Sequence, residues 1–173
     1  AGGAVELHVT NGAKCEHDVS IQVEPVNAGD DERRKVGTRW CDSVIGDLSR
    51  QGALPLPFYP SFVVQDDPSS GFEDGVAPPR FSSGYFWLRN RLSMLVETHS
   101  WKEYPVRVRI TRNTVVSVLE QVAAHGSDWL RITHEADLRA SNLPAEPVPL
   151  AFAASKQSRL IDFRGYEYTR TLS

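Results

Sequence analysis

Two side chains with the chemistry needed for hydrolysis lie at the ends of apolar segments. His8 is near the end of AVELHVT, residues 4–10, and Glu97 ends the apolar run of SMLVETHSW, residues 93–101. A neutral imidazole is a good zinc ligand, and a carboxylate that does not bind the metal can accept a proton from metal-bound water. The pair would suit zinc-dependent hydrolysis if the fold brings the two together. Taken singly, each has an ordinary alternative: a hydrogen-bonded histidine and a salt-bridged glutamate.

The pattern around each residue predicts a strand. In AVELHVT the apolar residues alternate with polar ones, which is typical of a strand with one face in the core, and an Asn-Gly turn follows. LSMLVET, residues 92–98, is a short continuous apolar run that suits a strand covered on both faces. Ligands of open α/β sheets collect at the carboxyl ends of strands, where His8 and Glu97 are both expected.

Two helices are predicted beside these strands. From Asp31 to Arg50 the apolar spacing is helical, with acidic residues at the start and Gly52 just beyond the end. Ser100 and Glu103 resemble a capping box, and the second helix is predicted to end at His125-Gly126. The order strand, helix, loop, strand, helix predicts the α/β class, with helices packed on a sheet.

Between residues 55 and 84 the sequence is rich in proline, glycine and serine, with aromatic residues interspersed. Such a stretch cannot be a regular helix, and a loop of this length inside a domain is usually disordered or lines a site. The aromatic residues argue against disorder. We expect an ordered surface segment that walls a cleft.

Beyond Asn142 the pattern changes again. PAEPVPLAF and RLIDFRGYEY alternate like strands of a small antiparallel unit. We therefore divide the chain into an α/β domain, residues 1–140, and the start of a β-rich C-terminal extension, residues 141–173.

Composition excludes several classes of partner. The net charge of −3 and scattered arginines give no basic field for nucleic acid. No apolar run approaches the roughly 20 residues that cross a bilayer, and AGGAVELHV lacks the features of a signal peptide. We expect neither a nucleic acid nor a membrane as partner. The two cysteines, Cys15 and Cys41, leave a disulfide or two thiols equally open.

The segments VELHVTNGAKCEHDVSI and PPRFSSGYFWLRNRLSMLVETHSWKEYPVRVR together resemble the second half of zinc carboxypeptidases of the carboxypeptidase A type. The resemblance is closest to the bacterial carboxypeptidase-like branch and covers about residues 5–126. It implies part of a mixed-sheet zinc carboxypeptidase-like fold with helices packed on the sheet. PVPLAF and IDFRGYEY resemble the β-rich extension that follows the peptidase domain in that branch.

The resemblance implies a hydrolase, a metallopeptidase that cleaves peptide or amide bonds with one zinc ion. His8 matches the third zinc ligand of the family, and Glu97 matches the glutamate that acts as general base and acid. The family also places a mobile tyrosine in the region corresponding to the aromatic segment, and both Tyr59 and Tyr85 are candidates. Arg89 could line the cleft and attract a carboxylate, although arginines that flank strands usually lie in water with their stems packed.

One departure from the family is large. Its first two zinc ligands form a His-x-x-Glu motif, and none of the five histidines of this chain begins one. Catalytic zinc usually needs three protein ligands, so the others are expected from a missing N-terminal half. Without that half we expect an inactive chain with an open sheet edge and an uncovered face. Such a chain would be poorly stable, would self-associate, or would be found beside its other half. The resemblance implies a bacterial enzyme, cytoplasmic or exported to the periplasm.

Two alternatives to an enzyme remain open from the sequence. The chain could be a non-catalytic module that keeps the fold without a metal site and binds peptides or cell-wall fragments through the aromatic segment. It could also be a structural fragment with no activity of its own.

His99 follows Glu97 by two residues, so it would share its face of the strand. It could orient Glu97, or it could be a polar residue at the turn into the helix.

Overall fold

The computed structural model describes residues 2–10, 14–65, 67–143 and 147–167. Within these residues the elements, in chain order, are β1 (Gly3–Thr10), β2 (Val19–Glu24), α1 (Asp31–Arg50), β3 (Pro55–Leu56), β4 (Phe62–Val64), β5 (Asp67–Phe72), α2 (Ser82–Leu88), β6 (Leu92–His99) and α3 (Tyr104–Ser141). The chain is thus of the mixed α/β class, as predicted.

Four strands form one mixed sheet in the order β1-β6-β2-β3. β6 pairs with β1 in parallel and with β2 in the antiparallel direction, and β3 lies parallel to β2. β4 and β5 form a separate antiparallel hairpin. The two strands that carry His8 and Glu97 are therefore direct neighbours, although almost 90 residues separate them in sequence.

The core lies between one face of the sheet and the helices α1 and α3. Alternate residues of β2 and β6 point to this face because side chains of a strand alternate between its two sides. The buried apolar residues of these elements are Val19, Ile21, Val23, Val36, Trp40, Cys41, Val44, Leu48, Leu92, Met94, Val96, Ile110, Val118 and Ile132. Burial of this apolar surface is the main stabilising contribution.

Helix α1 has the predicted bounds. Its N-cap is Asp30, whose carboxylate accepts a hydrogen bond from the Arg33 backbone N–H at 3.0 Å. Such a cap satisfies one of the free N–H groups at a helix start. The guanidinium of the buried Arg33 also donates to the Trp87 carbonyl, which ties the start of α1 to α2.

Helix α3 is longer than the sequence pattern predicted. The predicted end at His125-Gly126 is wrong, because the helix continues to Ser141. A mid-helix glycine lowers helix stability by only about 1 kcal/mol, and tertiary contacts beyond it outweigh that amount. Ile132 and Ala136 are buried there, and Asp137 forms an ion pair with Arg91 at 2.9 Å.

The start of α3 also differs from the prediction. Glu103 is the N-cap residue, not a member of a capping box begun by Ser100, and it makes no side-chain cap hydrogen bond. Pro105 in the first turn favours the helix start instead, because it has no N–H that would need a cap.

The aromatic segment carries more regular structure than predicted. It contains β3, the β4-β5 hairpin and the first turn of α2, and the sequence pattern indicated none of them. The hairpin is held by rings: Phe72 lies 5.3 Å from Phe58 and 5.2 Å from Phe62, measured between ring centroids. Described residues of the segment contribute one wall of an open cavity.

The C-terminal prediction is wrong for residues 147–167. No strand forms in them, and their one sheet-like contact is an isolated bridge between Gly165 and Cys15. Alternation alone does not form a strand, because the backbone of a strand must also pair with a neighbouring strand. The remaining residues of the two predicted strands, 144–146 and 168, lie outside the described residues, and the division of the chain at residue 140 stays a prediction.

Strand β1 has an open edge and an uncovered face in the described part of the chain. It stands at the end of the sheet, with β6 as its neighbour on one side only. Val5, Leu7 and Val9, which lie on the same side of the sheet as the core, are 38–51% exposed.

Among the described helices, none is both long and apolar enough to cross a membrane.

Candidate functional site

The pairing of β1 with β6 brings His8 and Glu97 together. Their Cα atoms are register partners, so the side chains project from the same face of the sheet. Nδ1 of His8 lies 3.6 Å from Oε1 of Glu97. The candidate site is therefore a single cluster at the carboxyl ends of two parallel strands.

The two side chains differ in exposure. Half of the His8 side chain is in contact with solvent, whereas the Glu97 side chain is only 11% exposed. Burial raises the pKa of Glu97, the nearby His8 lowers it, and Glu6 raises it. Within the described structure Oε2 of Glu97 has no hydrogen-bond partner. Glu97 is thus a partly desolvated carboxylate with one oxygen free to accept a proton.

Hydrogen bonds fix the ends of the two strands against each other. The Thr98 hydroxyl donates to the His8 carbonyl at 3.2 Å, and the Ser100 N–H donates to the Thr10 carbonyl at 2.9 Å. If the pairing of β1 with β6 slipped by one residue, His8 and Glu97 would project from opposite faces of the sheet. These bonds therefore maintain the approach of the imidazole to the carboxylate.

His99 does not orient Glu97. It is fully buried, and its Nδ1–H donates to the His17 carbonyl at 2.7 Å, since a carbonyl can only accept. Nε2 is then left to accept from the Ser20 hydroxyl at 3.0 Å. Burial lowers the pKa of His99, in agreement with a neutral ring. The ring holds the end of β6 against the segment before β2, which fits the second of the two alternatives.

The turn after β6 is attached to the same segment by two further side chains. Trp101 donates from its indole N–H to the Cys15 carbonyl at 2.8 Å. Lys102 forms an ion pair with Asp18 at 3.1 Å and donates to the Glu16 carbonyl. The residues that position Glu97 thus come from 15–20 and 98–102. The alternation in VSIQVE was a signal for β2, but its pairing with β6 could not be inferred from it.

The three predicted substrate residues make no described contact with the pair. No described hydrogen bond, ion pair or ring contact joins Tyr59, Tyr85 or Arg89 to His8 or Glu97. Tyr85 is half exposed and contacts the ring of Phe86. Arg89 follows α2 and precedes the start of β6, which lies about 17 Å from Glu97 along the strand. Their assignment to substrate binding stays a prediction.

The described residues do not complete a metal site. Searched within those ranges, no group of three or more His, Cys, Asp or Glu side chains is arranged to hold a metal ion. His8 can provide one nitrogen ligand, because half of its side chain is exposed and a metal ion could reach the ring. The chemistry of the pair fits one ligand position and one proton acceptor, and further ligands would have to come from elsewhere.

Comparison of the chain with family models, with curated proteins and with solved structures gives no match. What the pair can do chemically therefore follows from its own geometry.

Proposed function

We propose that the chain belongs to a zinc-dependent peptidase of the metallocarboxypeptidase type. The observation that supports this most directly is the approach of the His8 ring to the Glu97 carboxylate, at 3.6 Å, where two parallel strands end. His8 would be one zinc ligand, and the remaining ligands would come from the N-terminal His-x-x-Glu half. The substrate would be a peptide or a peptide-like amide.

Zinc bound there would supply a water of pKa near 7, against about 15.7 for bulk water. Glu97 would accept the proton of that water and later deliver it to the leaving amine. Its partial burial supports this role, because a carboxylate with a raised pKa is a stronger base at neutral pH. Oε2, which lacks a partner within the described structure, is the oxygen we assign to the proton.

The test begins with protein isolated from its natural source together with everything that co-purifies with it. We expect about one zinc ion per copy of this chain and hydrolysis of peptide substrates. Glu97→Gln should keep the zinc and lower kcat by roughly 10² to 10⁴-fold, which is the usual contribution of a general base. His8→Ala should lose the zinc itself. Glu120→Gln and His125→Gln are matched controls, since both residues are exposed on α3.

A Glu97→Gln protein with full peptidase activity would remove the proposal. Absence of zinc with retained binding of peptides would instead favour the second candidate, a non-catalytic binding module. One observation supports that alternative: an open cavity of about 1710 Å³ has the aromatic hairpin residues Phe62 and Phe72 in its wall. In that case binding should be insensitive to a chelator and to both site substitutions.

A further inference from the structure

His17 connects the C-terminal segment to the segment that supports the candidate site. It is 4% exposed, and its ring stacks on Phe163 with the centroids 5.2 Å apart. Phe163 also lies 4.7 Å from Phe72 of the hairpin. In the described range 147–167, Phe163 is the one residue that is partly buried rather than exposed. The attachment of this segment is therefore concentrated beside the His17 ring.

Two hydrogen bonds accompany the ring stack. The Arg164 backbone N–H donates to Nε2 of His17 at 3.2 Å, and the Arg164 carbonyl accepts from the Glu16 N–H at 2.8 Å. A backbone N–H can only donate, so Nε2 must carry its lone pair. The neutral ring must then hold its proton on Nδ1, which is buried without a hydrogen-bond partner in the described structure.

Protonation of His17 would remove this arrangement. A second proton on Nε2 would eliminate the acceptor and place one N–H against another. It would also put a positive charge into a buried position, which is unfavourable unless the charge is paired. The bond to Arg164 and the neutral state of His17 are thus coupled.

We propose that His17 is a proton-operated latch that holds residues 163–165 against residues 15–17 at neutral pH and releases them when its ring becomes protonated. The latch does not depend on zinc or on hydrolysis. Its effect reaches the candidate site because the His17 carbonyl is the acceptor for the buried His99. It also reaches the large cavity, in which residues from 155 to 167 form one wall.

The charges around the ring favour the neutral form overall. Burial lowers the pKa of His17, and Arg164 lowers it further, while the backbone at Leu54 and Pro55 and the carboxylate of Asp18 act in the opposite direction. Asp18 is already paired with Lys102. The other titratable groups next to the ring are the buried Cys15 and His99. Because the pKa of His17 is lowered in the fold, its ring is neutral and the latch is closed above about pH 6.5. The stabilisation by the latch is lost as the pH falls below that value and the ring becomes protonated.

Hydrogen exchange of the Arg164 amide, corrected for the intrinsic effect of pH, tests the latch between pH 5 and pH 8 on the full chain. In the wild type we expect protection to fall about tenfold per pH unit once the ring titrates, because one proton is coupled to opening. In His17→Gln the side-chain oxygen can still accept from Arg164 but does not titrate, so protection should persist to pH 5. Phe163→Leu should lower protection at every pH while keeping the slope, and His125→Gln should leave the profile unchanged.

A pH slope that persists in His17→Gln would overturn the latch. If the glutamine variant fails to hold Arg164 at any pH, nuclear magnetic resonance of the wild type decides. The His17 ring and the Arg164 amide must then titrate with one common midpoint below pH 6.5. Different midpoints, or an Arg164 amide still protected at pH 5 with a charged ring, would refute the proposal.

Discussion

Glu24 offers a test of how the fold treats a buried carboxylate far from the candidate site. It ends β2, is 1% exposed, and accepts a hydrogen bond from the Val26 N–H at 3.1 Å through Oε2. Oε1 has no hydrogen-bond partner among the described residues. Burial raises the pKa of Glu24 from 4.5 to about 7, the bond from Val26 lowers it, and the charge of Asp74 raises it.

The raised pKa of Glu24 makes the free energy of unfolding depend on pH. The fold favours the protonated carboxyl, so this contribution to stability is fully present below pH 4.5 and is lost as the pH rises toward 7. The change from 4.5 to about 7 corresponds to roughly 3 kcal/mol at about 1.36 kcal/mol per pH unit. Glu24→Gln removes the charge and with it this pH dependence.

We expect the stability difference between Glu24→Gln and the wild type to change by about 3 kcal/mol between pH 4 and pH 8, in favour of the variant at pH 8. Urea unfolding followed by tryptophan fluorescence at several pH values measures it. The change with pH, not the absolute difference, is the test, because a buried amide that lacks a partner adds a constant penalty of about 1–3 kcal/mol. Glu120→Gln, on an exposed part of α3, is the control. A difference that is flat from pH 4 to pH 8 would refute the reasoning.

Two further predictions concern packing and association. Gly37→Ala should destabilise the chain by about 1–3 kcal/mol in urea unfolding, because a Cβ there would lie 2.3 Å from the backbone oxygen of Pro25. Gly46→Ala, on the same helix but facing only a flexible arginine end, should instead stabilise by up to about 1 kcal/mol, and equal effects of the two would contradict this account. The isolated chain should self-associate through β1, and Leu7→Lys should lower its sedimentation coefficient to that of a monomer. Val64→Lys, an equally exposed position on the hairpin, should not, and the reverse result would exclude β1 as the contact.

The sequence could predict the elements around the site because their patterns are local. Alternation identified the strand of His8, the continuous apolar run identified that of Glu97, and α1 followed from its spacing and its acidic start. The register could not be predicted. It depends on pairing between strands distant in the chain, such as the bond from Thr98 to the His8 carbonyl.

Other features depended on partners that no local pattern shows. Helix α3 continues beyond Gly126 because residues after it make tertiary contacts, such as the ion pair of Asp137 with Arg91 just before β6. The C-terminal alternation corresponds to no strand in residues 147–167, where Phe163 instead packs against the rings of His17 and Phe72. His99 looked suited to orient Glu97 by spacing alone, but its two ring nitrogens are occupied by His17 and Ser20.

The one-sided attachment of β1 makes half of the candidate site the more easily detached half. A strand paired along a single edge separates from its sheet at a lower free energy than a strand paired on both sides, and it carries the imidazole away when it does. Glu97, on a strand enclosed by neighbours, stays in place. Whatever polypeptide occupies the outer edge would therefore govern how much of the time the imidazole and the carboxylate face each other, even if it never touched either of them.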